Sequence, residues 1–101
     1  MKLLSFGESL SIQQAMTQIV VYTKPYCPYC VRALALLEKK GVAFTEIEAG
    51  FDPGKRQEMV RRSGRATFPQ IFVGDHHIGG CDDMMALERE GRLDALLTAQ
   101  A

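Results

Sequence analysis

A chain of 101 residues can bury one two-layer core and is too short for a second domain. Its 47% hydrophobic and 24% charged residues are globular proportions rather than those of a disordered chain. Twelve basic residues balance twelve acidic ones, which leaves no broad basic footprint for nucleic acid. No apolar run approaches the roughly 20 residues of a membrane span.

Residues 1–15 read as an N-terminal extension. Leu3, Leu4 and Phe6 are apolar, but Glu8 and Gln13-Gln14 interrupt them before a signal-type core forms. Met16-Thr17-Gln18 suits a natural start, so the folded domain is expected over residues 16–101. A short ordered helix or an artificial remnant are the other readings of the extension.

Ile19-Val20-Val21-Tyr22 is the β-branched and aromatic run of a strand buried on both faces. A helix is expected over residues 27–40, with Pro28 at its first position and Gly41 as its left-handed stop. Val31, Leu34 and Leu37 would form its core-facing stripe. Residues 44–48 read as a short strand whose Glu46 and Glu48 suit a sheet edge. Asp52-Pro53 opens a polar helix that closes at Gly64. Residues 70–73 and 76–79 form a hairpin around Gly74-Asp75. Helices over 82–90 and 93–98 complete the chain. This order (βαβ, α, ββ, α) predicts an α/β fold with a four-stranded mixed sheet and helices on its faces.

The three cysteines do not fit a disulfide-stapled secreted domain, which usually carries an even number at scattered spacings. Two of them form Cys27-Pro28-Tyr29-Cys30, following a buried strand and opening a helix. Unpaired N–H groups and the helix dipole favour an anion at Cys27, so its thiolate is stabilised. Lys24 adds positive charge nearby. Cys27 should therefore be the exposed nucleophile and Cys30, one turn further in, the resolving thiol. A zinc site would need a second ligand pair, and only Cys81 with one of His76 and His77 remain to supply it. No metal site is expected.

Lys24-Pro25-Tyr26-Cys27-Pro28-Tyr29-Cys30, Thr67-Phe68-Pro69 and Gly79-Gly80-Cys81-Asp82-Asp83 together resemble the glutaredoxin family, and most closely its small bacterial dithiol members. The resemblance extends over residues 18–97. It implies the thioredoxin fold, a cis bond before Pro69, and a glutathione-dependent thiol–disulfide oxidoreductase acting on protein disulfides and glutathione mixed disulfides. Glutathione then serves as co-substrate, with no permanently bound cofactor. Lys24 would face the glycyl carboxylate, Tyr29 and Thr67 would flank the groove, and the Phe68 backbone beside Pro69 would meet the cysteine portion. Phe68 departs from the Val usual in the family. Gly80 allows close approach, the N–H groups of Cys81 and Asp82 suit the γ-glutamyl carboxylate, and the Asp82 side chain would take the ammonium while capping its helix. Asp83 and Arg65 are lesser candidates. Expected partners are glutathione and disulfide-containing or glutathionylated proteins, with no nucleic acid or membrane, for a cytoplasmic monomer. The competing readings are a glutathione-ligated [2Fe–2S] carrier and a thioredoxin-like reductase. Against the latter stand Pro28-Tyr29 between the cysteines and the absence of Trp.

Overall fold

A computed structural model describes residues 18–98. The expected extension at 1–15 and the outer ends of the expected domain lie outside them. The chain runs β1 (Ile19–Thr23), α1 (Pro28–Lys40), β2 (Thr45–Glu48) and α2 (Pro53–Ser63). It continues through β3 (Gln70–Val73), β4 (His76–Gly79), α3 (Cys81–Arg89) and α4 (Leu93–Thr98).

The sheet order is β2-β1-β3-β4, with β1 and β2 parallel and the other pairs antiparallel. The mixed sheet expected from the element order is therefore present. Every residue of β1 is buried, whereas β2 is the polar edge strand that Glu46 and Glu48 indicated. Side-chain alternation divides the core in two. Ile19, Val21, Ile71 and Val73 pack with Ala33 and Leu37 of α1, Met84 of α3 and Leu97 of α4. Val20, Tyr22 and Phe72 face the other way, onto Met59 of α2. That single buried residue makes α2 the largely solvated helix its composition suggested.

Both helix boundaries marked by Asp52-Pro53 and Gly64 hold. Asp52 accepts from the Lys55 N–H at 3.1 Å, and Gly64 stops the helix at φ 73°. The stripe expected on α1 needs correction. Val31 is 64% exposed, Leu34 is only partly buried, and Cys30, Ala33 and Leu37 are the buried residues. The physical reason is size: Cys30 and Ala33 let the helix lie close to the sheet, so the small residues turn inward and Val31, one position round from Cys30, turns out.

Candidate active site

The site forms where β1 ends. The chain leaves Thr23, passes Tyr26 in a left-handed conformation (φ 57°) and reaches Cys27 as the N-cap of α1. Pro28 occupies the first turn, where its missing N–H costs nothing. The Cys27 side chain accepts the Cys30 N–H at 3.2 Å, so the sulfur takes the place of a capping oxygen. The positive end of the helix is thereby directed at Sγ. On the other side, Sγ lies 4.0 Å from the Phe68 carbonyl oxygen, and the Phe68-Pro69 peptide is cis, as expected.

Cys27 is not the exposed thiol the sequence suggested. It is 5% accessible against 3% for Cys30. The sulfur is drawn inward because it caps the helix and sits beside the Phe68 carbonyl. The two thiols differ in what surrounds each sulfur: Cys27 Sγ receives the Cys30 N–H, whereas the Cys30 sulfur sits inside the helix turn. Burial, with the adjoining Cys27 sulfur, pushes the Cys30 thiol up to about 12, so it stays protonated at neutral pH. All three cysteines are free thiols.

A groove of about 170 Å³ gathers seven of the eight residues assigned to glutathione. They are Tyr29 from α1, Thr67, Phe68 and Pro69 from the turn before β3, and Gly80, Cys81 and Asp82 at the start of α3. The eighth, Lys24, stands beyond Phe68 with Nζ 5.7 Å from its ring centroid. It also lines a second cavity, of about 330 Å³, which reaches Cys27 from the side of Val31 and Glu46. Arg56 of α2 approaches the same Phe68 ring to 5.8 Å. No sequence signal marks Arg56, because only the crossing of α2 over the site brings it there.

The helix behind the groove starts one residue earlier than expected, and its cap is corrected. Asp82 is exposed and makes no capping bond; Asp83 Oδ2 instead accepts the Gly80 N–H at 2.9 Å. Gly80 is the N-cap, so Asp83 holds the N3 position that reaches back, and Asp82 is left free on the groove wall. Arg65 donates to the same Asp83 oxygen at 2.9 Å. The Gly80 N–H and then Arg65 hold the Asp83 carboxyl below its usual range. Cys81 lines the groove and is buried against the core, and burial pushes its thiol up. Among the described residues no three His, Cys, Asp or Glu side chains converge as metal ligands.

The glutaredoxin family model matches residues 19–78. A glutaredoxin of Pseudomonas aeruginosa is 54% identical over 84 residues, covering 83% of this chain and all of that protein. The solution structure of a Brucella melitensis glutaredoxin superposes with a TM-score of 0.74 at 56% identity, covering 86% of this chain and 95% of that one. A buckwheat glutaredoxin, solved as its glutathione complex, gives 0.75 at 30% identity, covering 99% and 96%. The sheet order, the helices on both of its faces and these likenesses establish the thioredoxin fold. The chain belongs to the glutaredoxin family of thiol–disulfide oxidoreductases.

Proposed function

We propose that the protein uses glutathione to reduce glutathione mixed disulfides and protein disulfides, with Cys27 as nucleophile and Cys30 as resolving thiol. The observation that carries this reading is the inequality of the pair. The Cys30 N–H is aimed at Cys27 Sγ at 3.2 Å, while the Cys30 thiol is pushed up to about 12. A thiolate is the reactive form, and the helix end is directed at only one of the two sulfurs.

On a glutathionylated protein, the Cys27 thiolate attacks the glutathione sulfur. A Cys27–glutathione disulfide forms and the protein thiolate leaves, to be protonated by solvent. The thiolate of a second glutathione then attacks the sulfur of the bound one, giving oxidised glutathione and regenerating Cys27. On a protein disulfide, Cys27 forms the mixed disulfide and releases one substrate thiol. Cys30 loses its proton, attacks Cys27 Sγ and expels the second substrate thiol. Two glutathiones then reduce the Cys27–Cys30 disulfide. Glutaredoxins as a class lie at roughly −200 to −230 mV, within reach of a cytosolic glutathione pool.

Glutathione carries two carboxylates and an ammonium, so its site needs both signs of charge. In this reading Lys24, beside the Phe68 ring, would supply the cation, and the exposed Asp82 with the N–H groups opening α3 would supply an anion and donors. Disulfide-containing or glutathionylated proteins approach from outside this groove, and a cytoplasmic setting would keep Cys27 and Cys30 reduced.

The test is turnover of a small glutathione mixed disulfide, with glutathione and glutathione reductase recycling. Cys27→Ser should abolish activity, whereas Cys30→Ser should retain it and lose only reduction of protein disulfides. Activity surviving Cys27→Ser would overturn the assignment.

A further inference from the structure

Behind the groove, three side chains on β3, β4 and the loop before them form a hydrogen-bonded chain. Gln70 is completely buried, and its Nε2 donates to Thr67 at both the carbonyl oxygen (3.0 Å) and Oγ1 (3.1 Å). Gln70 Oε1 lies 2.7 Å from His77 Nε2. The His77 ring is fixed in turn by stacking on Phe72, its partner across the hairpin, at 4.8 Å between centroids and 28° between planes. Gln70 and Phe72 stand two residues apart on β3 and so share one face of the sheet.

Chemistry fixes the direction of every bond in this chain. A carbonyl only accepts, so the amide nitrogen of Gln70 must face the Thr67 carbonyl. The amide oxygen then faces His77, whose Nε2 must carry the proton and leave Nδ1 bare in the neutral ring. The Thr67 hydroxyl oxygen already accepts from Gln70. Its own hydrogen is therefore not spent on Gln70 and is available to an acceptor in the groove that Thr67 lines.

We propose that Gln70 and His77 are positioning residues that hold Thr67 as an outward hydrogen-bond donor to the carbonyl or carboxylate oxygens of glutathione. This rests on the reading of the groove as the glutathione site. Neither residue touches the ligand. Gln70 sets the backbone and hydroxyl of Thr67 together, and His77 prevents the Gln70 amide from turning over.

The test is steady-state kinetics with a small glutathione mixed disulfide, set beside reduction of the Cys27–Cys30 disulfide by dithiothreitol, which needs no glutathione groove. Gln70→Met removes both donor contacts at nearly constant volume. It should raise KM about five- to tenfold while leaving kcat within about twofold. His77→Phe keeps the stack on Phe72 but deletes the hydrogen bond, and should raise KM about two- to threefold. Thr67→Val should raise KM as well, and on that background Gln70→Met should add less than it does alone. The dithiothreitol rate should not change in Gln70→Met or His77→Phe. A raised KM for Thr67→Val with an unchanged KM for Gln70→Met and His77→Phe overturns the relay while sparing the groove. An unchanged KM for Thr67→Val overturns the relay and the glutathione reading of Thr67 together. Should Gln70→Met fail to fold, His77→Phe alone decides, because its site is only partly buried and its ring is kept.

Discussion

The Cys30 backbone N–H donates to Cys27 Sγ across 3.2 Å, and this bond, together with the desolvation of the Cys30 sulfur, makes two buried cysteines chemically unequal. Cys27 stands before the helix and receives its N–H. Cys30 stands within the first turn, where its own sulfur gains burial and the neighbouring Cys27 sulfur but no helix end. Cys81 repeats the second situation at the start of α3, with its thiol pushed up by burial and by Asp82. The chain thus buries three thiols and directs the N-terminus of α1 at the sulfur of one.

Alkylation should read this inequality directly. With limiting iodoacetamide at pH 7, peptide mapping by mass spectrometry should find Cys27 modified at least about tenfold faster than Cys30 or Cys81. Both slow thiols should react fully once the chain is denatured. Equal labelling of Cys27 and Cys30 in the folded protein would remove the basis for assigning the nucleophile.

Phe68→Val tests how the groove wall works. Phe68 places its carbonyl 4.0 Å from Cys27 Sγ and offers its ring to Lys24 and Arg56 at 5.7 and 5.8 Å. The substitution keeps the carbonyl and deletes both cation–π contacts, each worth about 0.5–1 kcal/mol at such exposed sites. Neither contact is made to glutathione, so KM for glutathione should change by no more than about threefold. A loss of tenfold or more would mean that the ring, rather than the backbone, makes the contact.

What the sequence made legible was local. Ile19-Val20-Val21-Tyr22 carries its own strand signal, Asp52-Pro53 and Gly64 their own helix limits, and Cys27-Pro28-Tyr29-Cys30 its chemistry, because each depends on neighbours along the chain. Two errors arose where a neighbour across the fold decides. Val31 looks more apolar than Cys30 or Ala33, yet the close approach of α1 to the sheet selects the smaller pair for the interior. Cys27 looks exposed at a helix start until the Phe68-Pro69 turn, forty-one residues on, closes beside it. Asp82 and Asp83 are indistinguishable as caps until the helix start is known to within one residue. The Gln70–His77 bond needs the register of the hairpin, where Phe72 pairs with His77. Hydrophobic pattern specifies that a hairpin forms but not which polar tips meet across it.

The two glycines whose surroundings differ most should separate in a stability measurement. Gly79 sits at φ 121°, and a Cβ there would collide with the Asp83 carboxylate that caps α3. Gly41 sits at φ 75° with nothing within 4 Å of where a Cβ would be. Gly41→Ala should therefore cost about 1 kcal/mol, the ordinary penalty of a left-handed helix stop. Gly79→Ala adds displacement of Asp83 to a backbone strain of about 1–3 kcal/mol, so its urea midpoint should fall well below that of Gly41→Ala. Equal midpoints would show that Asp83 moves aside freely.

Asp83 also gives the fold an acid-sensitive contact whose sign can be worked out. The Gly80 N–H and Arg65 hold its carboxyl below the usual range, so its ionised form is favoured by folding. A depressed carboxylate contributes stability that is fully present above the unfolded value of about 3.9, and loses it as pH falls through the lower folded value. The Asp83 and Arg65 side chains are 44% and 47% exposed, so solvent screening keeps the contribution to about 1 kcal/mol or less. Asp83→Asn retains an oxygen for the Gly80 N–H but loses the charge opposite Arg65. Urea unfolding should find the variant less stable than the wild type at pH 7. The gap should narrow as the pH falls below the unfolded value of about 3.9 and the wild-type carboxyl takes up its proton. A gap that stays constant across that range would assign the loss to geometry and leave the Arg65–Asp83 pair with no electrostatic role.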